Sequence, residues 1–445
     1  MSRSNAAAAL LFRRKGDGST LNLDFTKMDA LDSRFTFSRA ATVATYVNSS
    51  GYIATATTNE PRFDYNPTTL APKGLLIEGS AINVLPASQN LSNASYWTIQ
   101  TAYTSVSTTE TSPSNVGNAN LFTEPNLANP RSIYQTFALT AGTYTASIFV
   151  KYNTGTVRGL RVVLSSASNN FGYVTINMST GAVIQSAASV GTASNTSATV
   201  TAYPNSWYQI TLTTTVAATA NFIFLIPVSI SGIGTPSSDY GRESYTGNSS
   251  TFSLWGAQVE TGTAASSYIP TTTGQVTRNP DLALMTSTNF SSWFTGGTTG
   301  TFFVDWHGGV RGITSTVRTV ISTSDQTTKH LHLQQTSAAG VLKVADFGAA
   351  NSVSTANTIT SGAQTKGAFN FNGSTTTVNL CLNGGTVATS SAIAFSVAPT
   401  WLVLGGTSTT GTTLTDLNTV LNGSIRQIKY YPTALTSAQL IAMTT

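Results

Sequence analysis

From Asn93 to Tyr268 the chain repeats one kind of phrase: a short run of β-branched, aromatic and aliphatic residues, then a turn rich in Gly, Asn or Pro. Ile133 to Phe137, Tyr144 to Val150, Leu160 to Leu164, Tyr173 to Ile176, Trp207 to Leu212 and Phe222 to Ile226 are the clearest runs. A second series starts at Gly300 and includes His330 to Leu333, Gly367 to Phe371, Thr377 to Leu382, Trp401 to Leu404 and Leu421 to Tyr431. Short strands at regular spacing, divided by turn residues, lead to a sandwich or jelly roll. The expectation is therefore an all-β chain of two β-sandwiches, preceded by an extended N-terminal arm and containing little helix. One helix is written into the C-terminus: Thr436 caps it, Gln439 completes a capping box, and Leu435 with Leu440 forms the hydrophobic staple.

Composition supports this. Charged residues make up only 9% of the 445 positions, against about a quarter in ordinary globular chains. Thr suits pleated surfaces, while Gly, Asn and Ser suit turns. The net charge of +5 comes from 22 Lys and Arg spread thinly, with one basic run at Arg13-Arg14-Lys15. No nucleic-acid motif accompanies it, so nucleic acid is not an expected partner. A single cysteine, Cys381, allows no internal disulfide and reads as a small buried hydrophobe. Ala6 to Phe12 is too short to span a bilayer, and Pro227 interrupts Phe222 to Val228, so membrane insertion is not expected. A soluble product made in the cytoplasm follows.

The stretch Phe252 to Asp281 reads as the seam. Phe252, Leu254, Trp255 and Val259 form the last strand of the first sandwich, and Tyr268-Ile269-Pro270 leaves the sheet. Thr277-Arg278 echoes Ser38-Arg39 near the N-terminus. The seam is read as an ordered strap with buried aromatic residues. The resulting division is 1–90 as arm and docking segment, 91–272 as the first sandwich and 273–445 as the second.

The segment FSRAATVATYVNSSGYIATATTNEPRFDYNPTTLAPKGLLIEGSAINVL, from Phe37 to Leu85, resembles a cassette of tailed-bacteriophage virion and tail-associated proteins. Within it, Ala44 to Val47 and Tyr52 to Ala54 flank Asn48-Ser49-Ser50-Gly51 as a β-hairpin. The ribbon from Pro61 to Leu76 needs a surface to pack on. Leu139 to Tyr144, Ser206 to Tyr208 and Leu254 to Glu260 resemble a carbohydrate-binding-module jelly roll, and the C-terminal series resembles a concanavalin-like, laminin-G-like sandwich. These resemblances imply a non-enzymatic virion protein, a tail fibre or capsid decoration. It would dock on other virion proteins or sister chains as a homo-oligomer and display sandwiches toward host surface polysaccharide.

Few residues suggest chemistry. Asp239 and Glu243 are the nearest carboxylate pair with an aromatic between them, as a glycan-degrading tail spike would need. Pairing of Arg242 with a neighbour is the plainer reading. His307, His330 and His332, with Asp305 or Asp325, lack diagnostic metal spacing, so no metal or cofactor is expected. Trp207, Trp255 and Trp401 read as core. Tyr240, Tyr245 and Asp239, in a Gly/Ser/Asn-rich loop, are the candidate glycan-binding residues, and Phe63, Tyr65, Leu75 and Leu76 the candidate docking residues. A purely cementing protein without a ligand is the remaining alternative.

Overall fold

A computed structural model describes residues 17–445, apart from 41–42, 101–102, 104, 139, 218–219, 309–316, 325–329, 337–340, 347–351, 361, 392, 394–398, 409–412 and 415–416. The basic run at 13–15 and Asp325 lie outside the described residues, as does the side chain of His330.

The chain is all-β and forms two sandwiches. In the first, one six-stranded sheet runs Ser194–Tyr203, Trp207–Val216, Gly142–Thr154, Thr251–Thr261, Gly117–Thr123, Ser105–Thr111. Its partner runs Val183–Val190, Asn170–Asn177, Arg158–Ala167, Ala220–Ser229, Ser132–Ala138, Thr98–Gln100. Alternation puts Ile148, Val150, Leu160, Val162 and Leu225 between the sheets, all fully buried. Gly256 interrupts that alternation without ending the strand. At φ +69° it sits where the register against Gly142–Thr154 shifts, a bulge that turns Trp255 and Ala257 to the faces they need.

The second sandwich departs from the expected division. Its larger sheet contains Gln364–Asn372, Thr299–His307 and Gly423–Tyr431, and continues into Pro72–Ile77 and Arg62–Tyr65. Leu21–Asp24 also pairs with Gly423–Tyr431, and Thr36–Ser38 pairs with Leu282–Thr286 at the edge of the opposite sheet. Four strands of the expected arm, Leu21–Asp24, Thr36–Ser38, Arg62–Tyr65 and Pro72–Ile77, are thus woven into the C-terminal sandwich. The reason is apolar area: Leu21, Leu23, Phe25, Phe63, Leu75 and Ile77 join one core with Trp306, Phe369 and Leu402. Each large side chain taken from water there contributes about 1.5–3 kcal/mol. Gly74 permits the closest approach. Its φ is +97°, and a Cβ there would lie 2.2 Å from the Ile425 carbonyl oxygen.

The hairpin of Ala44–Val47 and Ile53–Ala56 forms as expected. It leans on the first sandwich, where Ile53 meets Phe149, Trp207, Trp255 and Tyr268. The three core tryptophans are buried, and so are Phe252 and Tyr268 of the seam. The capping box of Thr436 and Gln439 is present, and Leu435 and Leu440 pack with Cys381, which is fully buried.

An ionic knot joins these parts. Arg62 donates from Nη1 to Glu78 Oε2 at 2.7 Å and from Nη2 to Asp281 Oδ2 at 2.5 Å. Arg278 reaches the same Glu78 oxygen at 2.6 Å, and Arg39 reaches Asp281 Oδ1 at 3.0 Å. Ser267 of the seam strap adds its N–H and hydroxyl to Glu78 at 2.9 and 2.7 Å. All five charged side chains are buried. Burial works against a charged Glu78, yet the two arginines and Ser267 hold its pKa far below the ordinary carboxylate range. The echo between Ser38-Arg39 and Thr277-Arg278 acquires a structural meaning here, because each arginine pairs with the acid belonging to the other segment.

Candidate functional site

Strand alternation places Tyr134, Phe222, Phe224, Val163 and Tyr173 on the outer face of the sheet that holds Ala220–Ser229. An outer face so apolar needs a cover. The loop after Ser229 supplies it, folding back so that Ile233 and Tyr240 lie against the cluster. Arg161 stands on this face as a buried post for the loop. It pairs with Glu243 at 2.7 Å, bonds Gln185 Oε1 at 2.7 Å and Thr175 Oγ1 at 3.1 Å, and donates to the Gly241 carbonyl.

At the crest, Asp239, Tyr240 and Gly241 have φ of 50°, 55° and 75°. Two non-glycine residues in the left-handed region cost about 1 kcal/mol or more each. The Tyr240 N–H donates to Ser168 O at 2.8 Å, and its ring stacks on Phe224 with centroids 4.4 Å apart. Phe224 in turn stacks on Tyr134 at 4.8 Å, and Phe222 lies 5.6 Å from Tyr240. The result is an aromatic row in which Tyr134, Phe222 and Tyr240 are half-buried, bordered by exposed Thr136, Ser168, Asn169 and Asp239. Half-exposed rings edged by hydroxyl, amide and carboxylate groups offer an apolar surface for a pyranose face and hydrogen bonds for its rim.

The expected residues separate here. Tyr240 and Asp239 belong to this row; Asp239 pairs with Arg242, which also bonds Gln100 Oε1 and lies over the Tyr240 ring at 5.7 Å. Tyr245 does not belong to it. Its ring lies between the guanidinium groups of Arg131 and Arg158, at 4.4 and 4.6 Å, and its hydroxyl donates to Glu124 Oε2 at 2.9 Å. Burial, and then Glu124, push its phenol above the ordinary tyrosine range. Two arginines distant in sequence have made a predicted contact residue into an internal one. Arg131 also gathers the carbonyls of Tyr245 and Pro125, at 3.0 and 3.1 Å, and that of Leu127.

Asp239 and Glu243, the nearest carboxylates in sequence, are held by different arginines, Arg242 and Arg161. Among the described residues no group of three His, Cys, Asp or Glu is placed to hold a metal ion. His332 is buried, with Nδ1 3.2 Å from Gln334 Nε2. No described helix is long and apolar enough to cross a membrane. Of the expected docking residues, Phe63, Leu75 and Leu76 are buried within the chain itself and Tyr65 is half-buried, Phe63 and Tyr65 bordering a surface cavity. Sequence reasoning missed Tyr134 and Phe222, whose only signal was their alternation with inward-facing neighbours.

No protein-family model matches the chain, and no curated protein matches it. Solved structures are similar in part. The Ruminococcus gnavus IT-sialidase CBM40 bound to α2,3-sialyllactose is 21% identical, with a TM-score of 0.28, over 33% of this chain and 83% of its own. Domain 4 of AbnA, an arabinanase from Geobacillus stearothermophilus, in complex with arabinotriose, is 13% identical, with a TM-score of 0.29, over 41% and 82%. The extracellular region of zebrafish Gpr126/Adgrg6 is 14% identical, with a TM-score of 0.26, over 73% and 37%. Likeness at this level carries no ligand from one chain to another.

Proposed function

We propose that this chain is a non-enzymatic structural protein of a tailed-phage virion that holds host-surface glycans on the Tyr240 face of its first sandwich. The observation that carries the glycan part is the aromatic row itself. Tyr240 is held in a costly backbone conformation by Arg161 and Ser168, and that conformation sets its ring beside the half-exposed Tyr134 and Phe222. The virion part rests on the cassette from Phe37 to Leu85, whose Arg39, Arg62 and Glu78 lie in the buried knot joining cassette, strap and sandwiches. Separate engagement of Asp239 and Glu243 supports the non-enzymatic reading, because a glycosidase needs two carboxylates facing one sugar.

The test is a glycan array with the full chain displayed multivalently, since repeated copies turn weak sugar contacts into measurable avidity. Binding that falls at least tenfold in Tyr240→Ala, with an unchanged melting temperature, supports the proposal. Absence of binding to any glycan rejects the ligand and leaves the cementing role, and reducing ends released from host polysaccharide reject the non-enzymatic part. Immunogold labelling of virions tests the location: unlabelled particles refute it.

A further inference from the structure

Where the cassette ribbon joins the second sandwich, a cavity of about 510 Å³ opens, with Asp64, Lys73 and Leu76 on one side and His307, Ser424 and Arg426 on the other. Strand register sets its floor. Gln364 pairs with His307, His307 with Ser424 and Ser424 with Leu76, so these four side chains share one face of the sheet, while Trp306 and Ile425 turn to the core. Ser424 is 3% exposed and lines the cavity, yet its hydroxyl makes no hydrogen bond among the described residues. A polar group so far from bulk water normally has a partner. Arg426, two residues along the same face, donates from Nη1 to the Pro72 carbonyl at 2.7 Å and holds Asp305 through Nε only at 3.4 Å. Its Nη2 makes no hydrogen bond among the described residues.

Lys73 spends one N–H on Asp64 Oδ2 at 3.0 Å and keeps two. The acceptors nearby already receive donors: Asp64 Oδ1 takes the Val47 N–H at 2.9 Å, and Asn422 Oδ1 the Gly79 N–H at 2.7 Å. What these side chains have to spare is therefore mainly donors, at Ser424, Arg426 Nη2 and Lys73. Burial first, then Arg426 and Lys73, push His307 toward its neutral form against the Gly362 backbone and Asp64, as cationic surroundings should. We propose that this cavity binds an oxyanion, the carboxylate or phosphate of an acidic saccharide. Bonds from a guanidinium or ammonium group to an oxyanion are about twice as strong as neutral ones, so the spare donors favour it over a plain sugar hydroxyl. The volume lies within the range of small-ligand sites, about 300–1,000 Å³, so the ring that carries the group has room as well. This adds to the proposed function a second sugar contact, on the other sandwich. It rests on that reading only for the saccharide, because the oxyanion stands on the donors.

The test titrates the full chain with methyl glucuronide, glucose 6-phosphate and neutral methyl glucoside, followed by saturation-transfer NMR and by the ring signal of His307. At least one acidic probe should bind tenfold more tightly than methyl glucoside and move the His307 signal, and salt should weaken that preference. The tighter of the two names the group, carboxylate or phosphate. Arg426→Gln should abolish the preference. Ser424→Ala, which removes only the hydroxyl, should weaken the acidic probe at least threefold with the melting temperature unchanged. Equal binding of all three probes, no binding of either acidic probe, a preference that survives Arg426→Gln, or an unmoved His307 signal overturns the proposal. Tyr240→Ala should leave these titrations as they are, so the Tyr240 face and this cavity fail separately.

Discussion

Glu78→Gln should be among the most damaging single substitutions that change almost no volume. Glu78 takes hydrogen bonds from Arg62, Arg278 and both donors of Ser267, and the two arginine side chains have no exposed surface. Breaking a buried pair by removing one charge typically costs about 3–5 kcal/mol, because the partner is left buried and unmatched. Glu78 serves two such partners, while Asp281 still supports Arg62. We therefore expect about 4 kcal/mol, within the range for one broken buried pair. Urea unfolding followed by tryptophan fluorescence measures it as a lowered midpoint. The pH dependence supplies a second reading. The pKa of Glu78 is depressed in the folded chain, so its stabilisation is complete above the ordinary glutamate value of about 4.3 and is lost as pH falls toward the folded value. Below about pH 4 the wild type should lose about 1.4 kcal/mol per pH unit from this group, a slope that Glu78→Gln removes. Adding Arg278→Gln should restore part of the loss, since the orphaned charge is then gone. A cost below about 1 kcal/mol, or an unchanged acid slope, would refute the view that this knot holds cassette and sandwiches together.

Other consequences can be measured independently. Arg131 gathers three backbone carbonyls, the work a bound cation does in many loops, so EDTA should leave the melting temperature unchanged, whereas Arg131→Met should lower stability by about 2–4 kcal/mol. Tyr245→Phe removes the bond to Glu124 and should cost about 1–2 kcal/mol without altering glycan binding, whereas Tyr240→Ala should do the reverse; a loss of glycan binding in Tyr245→Phe would put the site in the wrong place. Gly74→Ala places a Cβ against the Ile425 carbonyl at a positive φ, and calorimetry should show a loss of about 3 kcal/mol or more. Cys381 should resist a thiol reagent in the native chain and react at the rate of unfolding.

The parts of the fold legible in the sequence are those carried by neighbours along the chain. The capping box of Thr436 and Gln439 spans three residues, the hairpin around Asn48 to Gly51 spans a turn, and Phe252 to Val259 reveals its burial in its own apolar pattern. A loop rich in Gly, Ser and Asn marks a place where side chains are displayed, and Tyr240 is half-exposed there. Tyr245, five residues on, has the same local surroundings and a different fate, because Arg131 and Arg158 arrive from positions more than 80 residues away and enclose it. The same limit hid the incorporation of the N-terminal strands: Leu21 pairs with Tyr430, and Arg62 with Asp281 across 219 residues. Periodicity states that a strand has an inner face and that an arginine this poor in charged neighbours needs a partner. Which strand and which acid complete them depends on the surface buried when distant segments meet, and that is decided only in the folded chain.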